Sequence, residues 1–226
     1  MKQFSRLELL VGKDNLNKIN NTTVLIIGLG GVGSFALESL VRNGIGKVII
    51  VDNDIVDITN LNRQIMTLQN NVGKFKTDVW EKRILEINPI CKVKKITKFI
   101  TKENINELFC ENIDYIVDAC DTIEIKKELI RQSKIRNIKL ISSMGTGNKI
   151  DPSRLKIMDI RKTSYDPIAS ILRRMVRQEH INGKVMVVCS DERPIKVNNK
   201  ILGSNCLVPS IAGILCASFV INDIVR

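Results

Sequence analysis

Residues 22–63 open as Thr22-Thr23-Val24-Leu25-Ile26-Ile27-Gly28-Leu29-Gly30-Gly31-Val32-Gly33. They continue through a helical segment and a second apolar run ending at Asp52, and close on Asn60-Leu61-Asn62-Arg63-Gln64. An apolar run, a glycine loop and a helix make a nucleotide-binding βαβ fingerprint. Gly28 allows the tight turn, Gly30 lets the backbone approach a phosphate, and Gly33 lets helix and strand pack closely. The start of the helix offers free N–H groups and a positive dipole end to an anion. Asp52 lies nineteen residues after Gly33, where a carboxylate meets ribose hydroxyls. By itself the stretch leaves a dinucleotide and ATP both open.

Outward from this stretch, apolar runs predict strands at 23–27, 47–51, 92–96, 115–117 and 139–142. Helical patterns at 31–43, 77–86 and 123–136 alternate with them, and Thr101 is placed to cap a short helix. Residues 1–21 form an amphipathic entry segment with Gly12 as a stop. Continuous apolar strands belong to sheets covered on both faces. The fold class is therefore α/β, a Rossmann-like doubly wound, mainly parallel sheet. From Asp151 the pattern changes. An edge strand at 155–160, a helix opened by Asp166-Pro167, strands at 184–189 and 196–201, and a last helix at 209–225 predict a C-terminal α/β extension adding antiparallel strands. No low-complexity linker intervenes, so residues 1–226 read as one unit, with a nucleotide-binding core at 1–150 and an extension at 151–226. The glycine loop, Asp52, Asp118/Asp121 and Met144-Gly145 all fall at predicted strand C-terminal ends and are expected to meet in one crevice.

The chain has 226 residues, is 44% hydrophobic and carries a net charge of +11. The charge is uneven: Glu124 to Arg177 holds fourteen Lys/Arg against five Asp/Glu. Such a localised excess beside a nucleotide site points to a polyanionic substrate such as RNA. Six scattered cysteines contain no C-x-x-C pair, which argues against a thiolate zinc site. The one histidine, His180, cannot build a histidine cluster. The start of the chain lacks the apolar core of a signal peptide, so a cytoplasmic location with reduced thiols is expected. The apolar stretch Leu207–Val220 is short of the ~20 residues of a membrane span and reads as a core helix, with membrane association as the minor alternative.

The polar residues Asp52, Asp54, Asn60, Arg63, Lys76 and Asp121 add chemistry to the glycines. Hydride transfer does not need an arginine and a lysine beside a phosphate loop. Cleavage of ATP does, because both can neutralise charge that develops on the departing pyrophosphate. A carboxylate such as Asp121 can hold Mg²⁺, which prefers oxygen ligands and phosphate partners.

These residues carry a resemblance. Gly28-x-Gly30-Gly31-x-Gly33, Asp52, Asn60-Leu61-Asn62-Arg63-Gln64, Lys76 thirteen residues beyond Arg63, and Asp118-x-x-Asp121 resemble the E1-like adenylating superfamily (ThiF/MoeB/ubiquitin-activating type). Met144 to Pro152, Asp159 to Thr163, Asp166-Pro167-Ile168-Ala169 with Arg173-Arg174, Val187 to Glu192, Gly203-Ser204 and Val208 to Gly213 look like its tRNA threonylcarbamoyladenosine dehydratase branch (TcdA/CsdL). The resemblance covers nearly the whole chain. It implies an ATP-dependent enzyme that activates the carboxylate of N6-threonylcarbamoyladenosine at tRNA position 37 and cyclises it with loss of water. It implies that Gly28, Gly30, Gly31, Gly33, Asp52, Asp54, Asn60, Arg63 and Lys76 bind ATP, that Arg63, Lys76 and Asp121 are catalytic, and that Asp121 holds Mg²⁺. It further implies a homodimer in which Arg6 reaches the partner's ATP.

Under this reading the basic segment serves tRNA, with Lys126, Lys127, Arg131, Lys134, Lys149, Arg161, Lys162, Arg173, Arg174 and Arg177 as candidate contacts. The 151–226 extension becomes the tRNA and dimer region. The alternative within the superfamily is an adenylyltransferase acting on the C-terminus of a ubiquitin-like sulfur-carrier protein, and a further one is an NAD-dependent oxidoreductase. A sulfur-relay partner remains an option, although Cys189 and Cys206 read as structural.

Overall fold

Strand β1 (Thr23–Ile27) shows why the sheet is central. Val24 and Ile26 enter one core, while Leu25 and Ile27 enter the other. Alternate side chains leave opposite faces of a strand, so an uninterrupted apolar run requires cover on both sides. β2 (Lys47–Val51) does the same with Val48 and Ile50 against Ile49 and Val51. Each fully buried aliphatic side chain stabilises the fold by roughly 1.5–3 kcal/mol.

The computed structural model describes residues 2–196 and 202–226. With β3 (Lys92–Ile96), β4 (Tyr115–Asp118), β5 (Lys139–Ser143), β6 (Leu155–Asp159) and β7 (Met186–Ser190), the seven strands are ordered β3-β2-β1-β4-β5-β7-β6. All neighbours are parallel except β6 and β7. The sheet is thus doubly wound and mainly parallel, as the sequence predicted. The extension adds β6 and β7, which pair antiparallel as expected: β7 joins β5 in parallel, and β6 is the outer strand. The expected strand at 196–201 lies almost wholly outside the described residues.

Helices α1 (Ser5–Val11) and α2 (Lys13–Asn20) form the entry segment, divided by Gly12. α3 (Gly31–Arg42) follows the glycine loop, α4 (Lys76–Ile87) precedes β3, and α5 (Ile123–Ile135) and α6 (Pro167–Gln178) cover the second face. Thr101 does not cap a helix through its side chain. Asn104 accepts the Thr101 N–H at 2.8 Å and precedes a short 3₁₀ turn, Ile105–Phe109. α7 (Leu207–Val225) is long and apolar enough to cross a membrane by length and composition. Here Val208, Ala212, Cys216 and Val220 bury one face in the first core. Gly213 makes this close approach feasible: a Cβ there would lie 2.2 Å from Val32 O on α3.

Successive strands lead from β1 through β2 to β3 on one side and through β4 to β5 on the other. The order reverses between β1 and β4, and a crevice opens beyond the carboxyl ends of those two strands. Gly28 ends β1 there. Its φ is +86°, and a Cβ on it would lie 2.6 Å from Ala119 O at the end of β4. Only glycine meets both demands.

Candidate active site

A cleft of about 540 Å³ lies at this crevice. The glycine loop forms one wall. A Cβ on Gly33 would fall 1.8 Å from Gly28 O, so helix and loop touch through bare backbone. Gly30 is different: the nearest atom to a Cβ there is Gln64 Nε2 at 3.9 Å, and the space beside it belongs to the cleft. Gly30 is the N-cap of α3 and has no side chain to satisfy the first helical N–H groups. They are left for an anion.

Asp52 ends β2 and ties the loop down. Its Oδ2 accepts the Leu29 N–H at 2.6 Å and its Oδ1 the Asp54 N–H at 2.8 Å. Burial raises its pKa above the ordinary carboxylate value, against the opposing pull of Lys76. Each oxygen keeps a lone pair for a ribose hydroxyl.

Lys76 begins α4 and is buried. Its Nζ lies 2.7 Å from Asp54 Oδ2, and its N–H donates to Asp54 O at 3.0 Å. Arg83, two turns along α4, donates to Glu38 on α3 at 2.7 and 2.9 Å, fixing α4 against the helix of the glycine loop. Burial pushes the Glu38 pKa up, but bonds from Arg83 and Arg42 outweigh this and hold it below its ordinary value.

Asn60 is buried and closes a short turn. Its Oδ1 accepts the Asp57 N–H, and its carbonyl accepts the N–H groups of Arg63 and Gln64. The turn sends Arg63 to the cleft, where its guanidinium donates to Thr59 O at 2.7 Å and Asn62 Oδ1 at 2.9 Å. Among the described residues no carboxylate pairs with Arg63, which leaves its charge for an anionic guest. Asp121 also lines the cleft, exposed, and accepts a long hydrogen bond from Thr122 Oγ1 at 3.4 Å. Its oxygens are free to hold a cation. Among the described residues no group of three metal-ligating side chains exists.

Several cleft residues were not singled out in the sequence. Phe99 and Ile100 line the cleft beyond β3, and the strand-end rule that located Asp52 locates them too. Gln64 lines it with a buried Oε1 that has no hydrogen-bond partner among the described residues. Lys126, which also lines the cleft, donates to Asp118 Oδ2 at 3.0 Å and Ser143 O at 2.8 Å. Burial opposes the charge on Lys126, but Asp118 overrides it and raises the lysine pKa. This pair binds the end of β4 to the end of β5. Burial and Asp118 push the pKa of neighbouring Cys120 well up.

The basic segment divides. Lys149 is buried, donating to Asp166 Oδ2 at 3.0 Å and Gly145 O at 2.8 Å, and so cannot meet tRNA at the surface. Buried Lys126 is removed for the same reason. Lys127 pairs with Glu124, and Arg131 with Glu128 and Glu179. Lys134 donates to Lys184 O, while Arg161 binds Asp159 and two backbone carbonyls. Arg173 holds Thr163 at 2.6 and 2.9 Å. Lys162, Arg174 and Arg177 are exposed, and among the described residues none pairs with a carboxylate. Arg6 is exposed on α1 and does not line this chain's own cleft. Burial pushes the Cys189 pKa up to about 12, which fits a structural thiol, whereas Cys206 is exposed.

Fold and cleft together define a Rossmann-like α/β protein with Arg63 and Lys76 lining a glycine-walled cleft. The ThiF family model matches residues 4–204. The tRNA threonylcarbamoyladenosine dehydratase of Bacillus subtilis is 42% identical over 100% of this chain and 96% of its own length. That of Escherichia coli is 35% identical over 83% of this chain and 72% of its own. The crystal structure of the E. coli enzyme, TcdA, in complex with ATP superposes with a TM-score of 0.92 at 32% identity, covering 99% of this chain and 93% of that one. The chain belongs to the ThiF family of the E1-like superfamily, in its tRNA threonylcarbamoyladenosine dehydratase branch.

Proposed function

We propose that this chain is an ATP-dependent tRNA threonylcarbamoyladenosine dehydratase, which adenylates the carboxylate of the modified adenosine at tRNA position 37 and cyclises it. The observation that carries this reading is the meeting of Arg63, Lys76 and Asp121 around one glycine loop. A carboxylate oxygen attacks the α-phosphorus of ATP, the bond from that phosphorus to the bridging oxygen breaks, and pyrophosphate leaves. Arg63 and Lys76 neutralise the charge that accumulates as it departs. The N–H groups at the start of α3 hold phosphate, and Asp52 holds ribose. Asp121 would hold Mg²⁺, which when bound shields the phosphate oxygens. A nucleophile in the same nucleoside side chain then attacks the acyl carbon, AMP leaves, and a proton is released. Its tethering supplies proximity, so no protein nucleophile is needed.

In this reading residues 1–150 bind ATP, and residues 151–226 present tRNA through Lys162, Arg174 and Arg177. A cytoplasmic homodimer lets Arg6 of each protomer face the partner's cleft. The test is incubation with ATP and tRNA carrying threonylcarbamoyladenosine, followed by nucleoside mass spectrometry. The expected result is a product lighter by one water, with AMP formed in equal amount. Unchanged tRNA, together with pyrophosphate exchange driven by a ubiquitin-like carrier protein, would overturn it.

A further inference from the structure

Among the described residues the exposed Phe, Tyr and Trp side chains are Phe75, Phe99 and Tyr165, and of these Tyr165 alone has a positive φ. Trp80 and Tyr115 are buried in the core, whereas Tyr165 is 54% exposed. Its φ is +55°, a left-handed conformation that a bulky side chain adopts only where its surroundings enforce it. Burial of the ring does not account for that constraint.

The next residue is held in place. Asp166 caps α6 by accepting the Ala169 N–H at 2.9 Å, and it pairs with buried Lys149 at 3.0 Å. The same carboxylate lies 3.0 Å from where a Cβ of Gly145 would stand. Gly145 and Ile168 both line the cleft, at the end away from Asp52. Tyr165 is thus anchored beside the cleft by a rigid ion pair.

The guanidinium of Arg193 sits over the ring, 4.5 Å from its centroid. The carboxylates near Arg193 in sequence are committed elsewhere. Asp191 pairs with Arg154 at 2.6 Å and Lys156 at 3.6 Å, and Glu192 accepts the N–H groups of Ile150 and Asp151 at 3.0 Å each. An exposed aromatic ring carrying a guanidinium that pairs with no carboxylate among the described residues suits an unpaired nucleobase, which stacks on such planes while the positive charge meets its backbone.

We infer that Tyr165 and Arg193 form a stacking platform for an unpaired nucleobase of the RNA substrate, holding the RNA while the modified adenosine enters the cleft. The inference rests on the tRNA reading above. The platform acts in binding and takes no part in the chemistry.

The test compares Tyr165→Ala, Tyr165→Phe and Tyr165→Trp with wild type, using an RNA stem-loop that carries the modified adenosine. Tyr165→Ala is expected to weaken RNA binding about tenfold and raise KM for RNA, with kcat and ATP affinity unchanged. Tyr165→Phe is expected to bind like wild type. The new emission of Tyr165→Trp is expected to be quenched when RNA is added. Undiminished binding by Tyr165→Ala, loss of melting temperature with Phe failing alongside Ala, or quenching by a carrier-protein tail peptide but not by RNA would each overturn the platform. If wild type neither binds nor converts the RNA, the tRNA reading falls and the platform falls with it. If wild type converts the RNA and Tyr165→Ala binds it equally well, only the platform falls.

Discussion

Lys76 Nζ lies 2.7 Å from Asp54 Oδ2, with the lysine buried and the aspartate largely exposed. The pair is therefore asymmetric. Asp54 meets water on its outer side and can give up part of its hold when a phosphate arrives. Lys76 has no solvent to turn to and stays aimed at the cleft. Lys76→Ala is expected to lower kcat by about 10²–10³-fold, the scale of losing one preorganised charge-stabilising group. Asp54→Asn keeps the lysine and is expected to lose less. Single-turnover pyrophosphate release checks both, and equal losses would show that Asp54 does more than hold Lys76.

The glycines of the loop separate by role. Gly33→Ala places a Cβ 1.8 Å from Gly28 O. Helix α3 must shift, and melting temperature and ATP binding are expected to fall together. Gly30→Ala meets no atom nearer than Gln64 Nε2 at 3.9 Å. Its stability is expected to stay within about 1 kcal/mol of wild type, while ATP affinity drops because the methyl group occupies the path of the phosphates. Thermal melts with and without ATP distinguish the two variants.

The legible parts of this chain were those written in local pattern. β1 and β2 are apolar on both faces, so their runs are unbroken, and Gly33 is fixed by its contact with Gly28 O within one βαβ unit. What sequence could not show were pairings between distant elements. Counting charge treats every lysine as exposed, yet Lys149 finds Asp166 seventeen residues away and Lys126 finds Asp118. β7 reads as a short apolar strand, and nothing local states that it enters beside β5. The resemblance makes Asn60 an ATP contact, and nothing local states that its side-chain oxygen and carbonyl also build the turn that carries Arg63.

Two kinds of cation in the basic segment make opposite predictions. Lys149→Met removes one partner of a buried pair and strands Asp166, and is expected to destabilise the protein by roughly 3–5 kcal/mol. Arg174→Glu with Arg177→Glu alters only exposed side chains. Melting temperature is expected to hold, RNA affinity to fall, and the slope of log affinity against log salt to become shallower. Urea denaturation and RNA titration across a salt series measure both outcomes. An unchanged salt slope in the double variant would remove this face of α6 from the RNA surface.

Glu38 links the acid stability of the fold to the aim of Lys76. Its folded-state pKa is held below the ordinary 4.5: burial works to raise it, and the bonds from Arg83 and Arg42 prevail. A depressed carboxylate contributes stability that is fully present above its unfolded value and is lost as pH falls through the folded value. Glu38→Gln is therefore expected to be less stable than wild type at neutral pH, by about 1–3 kcal/mol, the scale of a hydrogen bond to a charged group. The difference should shrink as pH drops below about 4.5, where wild type loses the same interaction. Because Arg83 and Lys76 share α4, the variant is also expected to show a raised KM for ATP at neutral pH. Urea midpoints measured from pH 7 to pH 3 check the first expectation, and a stability gap that stays constant across that range would show that Glu38 acts through packing alone.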